Sequence, residues 1–140
     1  MTVLAALFAI AMALPIAVWL ARRRWLVITV TGNSMAPTLR DGQRLIARAG
    51  RSFTRGDVIV FRLSAEQIGL DDEEGLALRI KRVAAVESDP MPASLRSEPW
   101  AQGSAHVPRG KLVVAGDNPH SQGSRELGYI DEADVIAVVH

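Results

Sequence analysis

Cysteine is absent from this chain. That excludes disulfides, structural zinc held by thiolates and a thiol nucleophile. It leaves the redox compartment open, because a cysteine-free chain suits either side of a membrane. A surplus of one charge is also missing, since 16 Lys and Arg stand against 15 Asp and Glu. Nucleic-acid binders carry a basic face and a high pI, so the balance argues against nucleic acid as a partner. Histidine is scarce: His106, His120 and His140 are all there is. No internal repeat or low-complexity tract occurs. At 140 residues the chain suffices for one small domain.

What is present begins with an uncharged apolar run over residues 3–21. At helical rise it would reach ~28 Å, close to the hydrocarbon thickness of a bilayer. Pro15 is tolerated in a membrane helix. Trp19 and Trp25 fall where an interfacial aromatic belt would lie. A cleaved secretory signal would have a basic start and a shorter apolar stretch. A buried soluble helix would show a polar face. The run therefore reads as a single-pass membrane anchor over residues 1–21, with membrane lipid as a partner, followed by a domain over residues 25–140. Arg22, Arg23 and Arg24 follow the run directly, and the positive-inside tendency would put the following domain in the cytoplasm.

After the anchor the pattern changes to short alternating runs. Strands are expected at residues 25–31, 44–47, 57–62, 78–86, 111–115 and 135–139. Turn signals separate them, among them Asp41-Gly42, Gly56-Asp57, Arg109-Gly110 and Gly116-Asp117-Asn118-Pro119. The expected fold class is mainly β, with closed or coiled sheets. Residues 64–75, with the acidic cluster Asp71 to Glu74, read as a solvated loop. No other ligand-type residues are spaced to make that cluster a metal site. Residues 88–104, with three prolines and Trp100, read as an exposed excursion that Trp100 folds back onto the body.

The chemistry centres on Gly32-Asn33-Ser34-Met35-Ala36-Pro37-Thr38-Leu39. Gly32 and Pro37 suit a tight turn after a strand. Met35 and Leu39 are apolar and would embed in core or lipid. A lone serine in such a turn is ordinarily only a turn residue; a nucleophile needs a base. A Ser34, His120, Asp117 triad is one arrangement, although an Asp three residues from a His in a turn more often caps its own backbone. Lys81 is the stronger partner. It stands in the apolar run Leu78 to Val86 beside Arg79 and Arg82. Desolvation and neighbouring cations lower a lysine's pKa, and a neutral amine can take a serine proton. Alternation, however, puts Arg79, Lys81, Val83 and Ala85 on one mixed face, and periodicity alone predicts that Lys81 faces solvent.

Taken in order, Ser34-Met35-Ala36-Pro37-Thr38-Leu39, Arg55-Gly56-Asp57-Val58-Ile59-Val60-Phe61, Ile80-Lys81-Arg82-Val83 and Gly116-Asp117-Asn118, with Ser121, Ser124, Arg125 and Gly128 beyond, resemble the type I signal peptidase family. These are membrane serine proteases with a Ser/Lys dyad and no cofactor. The resemblance implies a coiled antiparallel β catalytic domain after one transmembrane helix, with Ser34 as nucleophile and Lys81 as general base. Ser121 would orient the lysine. Asp117, Asn118, Ser124 and Arg125 would shape its surroundings, and the Ser34 backbone N–H would donate to the oxyanion. The partners implied are exported precursors carrying a signal peptide or pro-segment. The domain would be extracytoplasmic, against the arginine cluster, since long domains translocate despite flanking charge.

Two departures stand out. Gly32 replaces a serine that supplies a second oxyanion donor in some members, and Gly123 replaces the Asp of an Asp–Arg pair that buttresses the site. The alternatives are a self-cleaving repressor-type Ser/Lys peptidase, a peptidase dedicated to one precursor, and an inactive membrane-tethered binding module that keeps the fold.

Overall fold

A computed structural model of the chain describes residues 11–13, 15–19, 24–64, 67 and 78–139. Most of the expected anchor, Arg22 and Arg23, the acidic cluster at residues 71–74 and His140 lie outside the described residues. Among the described residues, no helix is long and apolar enough to cross a membrane.

Seven strands form one antiparallel sheet: β1 Trp25–Thr29, β2 Arg44–Ala49, β3 Val58–Arg62, β4 Leu78–Ala85, β5 Lys111–Ala115, β6 Ile130–Asp131 and β7 Val135–Val139. Their order across the sheet is β1-β2-β7-β3-β4-β5-β6. All six expected strands are present within a few residues of their expected ends. The seventh, β6, has two residues and is too short to leave a periodic signal. One short helix, α1 at Ser124–Leu127, follows β5.

β3 is the most deeply buried strand of the sheet. It reads Val-Ile-Val-Phe and is buried on both faces between β7 and β4. A strand covered on both faces is apolar throughout rather than alternating. Register shifts between Val60 and Phe61, and again between Val83 and Ala85, bend the sheet around it. The main core collects Ile59, Phe61, Leu63, Val83, Leu112, Val114, Ile130, Val135 and Val138.

The excursion at residues 88–104 is not simply exposed. Met91, Leu95 and Ala101 are buried with Ala85, Val107 and Val113 in a second cluster. Trp100 does fold it back as expected. Its indole meets Tyr129 edge to face at 4.7 Å and donates to the Arg125 carbonyl at 3.3 Å.

Candidate active site

The turn carrying Ser34 is set from both sides. The Gly32 N–H donates to the Asp41 carboxylate at 2.8 Å, and Gly32 has φ +82°, a conformation in which a side chain is strained. The serine hydroxyl found here in some family members therefore does not fit this backbone without rearrangement. On the other side, Met35 and Leu39 are both buried, with Val30, Leu45 and Val58 around them. The expectation left core or lipid open for these two; the structure places both in the core. Ser34 is thus a half-buried residue between a glycine turn and an apolar anchor.

Asn118 holds this turn from across the fold. Its backbone N–H donates to the Ser34 carbonyl at 3.1 Å, and its side-chain amide donates to the Asn33 carbonyl at 3.1 Å. Gly116 lies under the same contact. A Cβ built there would stand 2.6 Å from the Ser34 carbonyl oxygen and 1.7 Å from Ser121 Oγ. Ser34, Gly116, Asn118 and Ser121, 87 residues apart at the extremes, therefore converge. Ser121 Oγ is buried there with no hydrogen-bond partner among the described residues. A buried hydroxyl in that state is costly unless a group meets it.

Lys81 is buried, only 3% exposed. This corrects the solvent-facing orientation that periodicity predicts. β4 lies between β3 and β5, and Lys81 shares its covered face with Val83, whereas the register shift after Val83 turns Ala85 into the second cluster beside Val113; Arg79, nearer the strand's start, is partly open. The β4–β5 register runs Val83 with Val114 and Arg82 with Ala115. One further step sets Lys81 across from Gly116. Opposed residues in an antiparallel pair project to the same face. The Lys81 side chain thus leaves the sheet on the side where a Cβ on Gly116 would meet Ser121 and Ser34. Its pKa is lowered from the ordinary lysine value, chiefly by burial and then by the Arg79 cation, while Glu126 pulls it the other way.

Beside it, Arg82 makes a two-pronged bond to Asp117, Nε to Oδ1 at 2.8 Å and Nη2 to Oδ2 at 2.6 Å. Its Nη1 also donates to the Gly56 carbonyl at 2.7 Å. Asp117 is held below the usual carboxylate range by the Arg82 bond, with a further hydrogen bond from Thr38. One ion pair so ties the serine turn, the Gly56 turn, β4 and the loop after β5. Asp117→Asn is expected to cost about 1–3 kcal/mol of stability, read by urea unfolding, because a charged bond at a largely buried carboxylate is weakened.

The same bond disposes of the histidine triad. Both oxygens of Asp117 are engaged by Arg82, and His120 is exposed, its backbone N–H donating to Asn118 Oδ1.

Two expected site residues line a groove beside Gly116 and Ser121 and also have structural partners. Ser124 is buried and its Oγ accepts from the Val114 N–H at 2.8 Å, so it satisfies the backbone of β5. Arg125 is exposed and its nearest ionic partner is Glu98 at 3.8 Å. Gly123 is a packing requirement, since a Cβ there would stand 2.9 Å from the Val114 carbonyl oxygen. The backbone at position 123 therefore leaves no room for the Asp of the family pattern, and an Arg–Asp ion pair is formed instead by Arg82 and Asp117. Sequence reasoning missed Glu126, which acts on Lys81 through space while its carboxylate accepts the Gly123 N–H at 2.9 Å. Its only sequence signal is the three-residue spacing of a helix cap.

A family model described as signal peptidase, peptidase S26, matches residues 2–94, a span that includes both Ser34 and Lys81. No curated protein matches the chain.

Proposed function

We infer from membership of the signal peptidase, peptidase S26, family, to which this chain belongs, that it is a serine endopeptidase using a Ser34/Lys81 dyad. It would act at a membrane and cut signal peptides or pro-segments from exported precursors. The observation that supports this reading is the burial of Lys81 on β4, one register step beyond the Arg82–Ala115 pair and so next to the Gly116 that packs against Ser34 and Ser121.

In this reading the neutral Lys81 amine takes the Ser34 hydroxyl proton as Oγ attacks the scissile carbonyl. The oxyanion receives the Ser34 backbone N–H. Protonated Lys81 then passes its proton to the leaving amine as the C–N bond breaks, which leaves an acyl-serine. A water, deprotonated by Lys81, attacks the ester and releases Ser34. Ser121 Oγ, buried without a partner among the described residues, would hydrogen-bond the amine and aim it. With glycine at position 32, the oxyanion depends on fewer donors.

The reading fixes two opposite pH responses. Lys81 must be neutral to act, so its pKa sets the acidic limb of kcat/KM. Arg79→Gln removes a cation that lowers this pKa, and the limb moves to higher pH. Glu126→Gln removes an anion that raises it, and the limb moves to lower pH. Profiles shifting in the same direction would contradict this assignment.

The test is a precursor assay in sealed vesicles, comparing the wild-type chain with Ser34→Ala. Cleavage by the wild type alone, on the extracytoplasmic side, is the expected result. Equal processing by both would remove the dyad, and cleavage confined to the cytoplasmic side would reverse the orientation.

A further inference from the structure

We propose that the groove between the 88–104 excursion and the segment from Gly116 to Glu126 receives the part of the peptide substrate that follows the scissile bond. This rests on the Ser34/Lys81 reading above. The groove has a volume of about 200 Å³ and opens to solvent. Pro92, Ser94 and Leu95 form one wall, and Gly116, Ser121 and Glu126 form the other. It is smaller than the pockets of roughly 300–1,000 Å³ that take small molecules, and suits a short stretch of extended chain.

The occupant follows from the sheet edge. β5 pairs with β4 only from Arg82 onward, and among the described residues no strand pairs with Leu78 to Ile80 on the side away from β3. A peptide can therefore add to the β4 edge along Leu78 to Ile80 through main-chain hydrogen bonds. At Lys81 that edge ends, because β5 occupies it beyond. A substrate chain reaching the lysine has to leave the edge over Gly116, and the space that continues from there is this groove. Gly116, Asn118 and Ser121 belong to both the site and the groove, so the two are continuous.

The chemistry assigns the halves. The acyl half stays bound through acylation and deacylation, which suits the multiply hydrogen-bonded edge. The other half leaves once the C–N bond breaks, carrying a new amine that has taken a proton from Lys81. The open groove gives it a way out. Glu126, in the groove wall and near enough to act electrostatically on Lys81, offers a carboxylate to accept an N–H of the departing amine, and to pair with it once it takes a second proton from solvent.

Ser94 is exposed on the groove wall, and Ser94→Trp would fill the groove without entering the core. Two substrates with the same residues before the scissile bond separate the outcomes. One is a simple alkyl ester with nothing peptidic after the bond; the other extends several residues beyond it. For the full-length chain in detergent, Ser94→Trp is expected to lower kcat/KM for the extended peptide by about tenfold, the equivalent of one good contact. Ester hydrolysis and labelling of Ser34 by a serine-acylating probe should stay at wild-type levels, which also shows that the variant folds. Equal losses on both substrates, or no loss on the extended one, would overturn the assignment. As an independent readout, an extended peptide with a photoreactive group two residues after the bond should cross-link Ser34→Ala protein within residues 92–95 or 121–126. Adducts elsewhere would overturn it too. Failure of the probe to label wild-type Ser34 would remove the dyad reading itself, whereas labelling with an indifferent groove would remove only this inference.

Discussion

Ser34→Ala and Lys81→Met should each lower precursor cleavage by on the order of 10⁴-fold or more, the usual consequence of removing one member of a nucleophile–base unit. The double variant should lose no more than either single one, because the two side chains act in one step. Stability should separate them from ordinary core damage. Lys81 is 3% exposed, and methionine fills a similar volume without a polar group to desolvate. Lys81→Met should therefore unfold at the wild-type denaturant concentration or above it. Lys81→Arg should be as inactive as Lys81→Met, since a guanidinium does not give up its proton. Retained cleavage in Lys81→Arg would show that a neutral base at this position is unnecessary, and the mechanism would fall with it.

Gly116→Ala is the second large effect expected, although it adds only a methyl group. The methyl would stand 1.7 Å from Ser121 Oγ and 2.6 Å from the Ser34 carbonyl oxygen. The Ser121 hydroxyl can rotate, but the Ser34 carbonyl is backbone and is also held by the Asn118 N–H at 3.1 Å. Relief therefore has to move the serine turn or the loop after β5. A displacement near 1 Å at a reacting group costs roughly 10²-fold in rate, so kcat should fall by at least about that factor. Gly110→Ala is the control: nothing lies within 4 Å of its Cβ position, and it precedes β5 at the end opposite Gly116. It has φ +69° and carries a backbone cost of its own, so it should lose stability while keeping kcat. Equal kcat losses in both variants would mean that Gly116 matters as a backbone hinge and not as a close contact.

Much of the fold is legible in the sequence. β-branched runs bounded by Gly-Asp and Arg-Gly turns mark six strands, because local preference and tertiary role agree there. The serine turn was legible as a turn for the same reason. The face of Lys81 was not. Alternation sorts residues into two faces but does not say which is covered, and the mixed set Arg79, Lys81, Val83, Ala85 favoured the wrong one. The Pro-rich excursion is more buried than its sequence suggests for a related reason. Its few apolar residues, Met91 and Leu95 among them, look incidental until Val107 and Val113 arrive against them.

The residues nearest the chemistry divide along the same line. By itself the sequence determined that a serine would sit in a constrained turn, that a lysine would lie in an apolar strand, and that a Gly-Asp-Asn loop would follow the fifth strand. These depend on neighbours within a few positions. Tertiary structure alone decided that Lys81 loses its water, that Arg82 rather than Arg125 carries the buttressing ion pair, and that Gly116 and Gly123 are glycines because backbone presses on them. Arg82 and Asp117 are 35 residues apart and meet because β4 and β5 pair. Burial and electrostatics act through space, and only the sheet register decides which distant residues come within their reach.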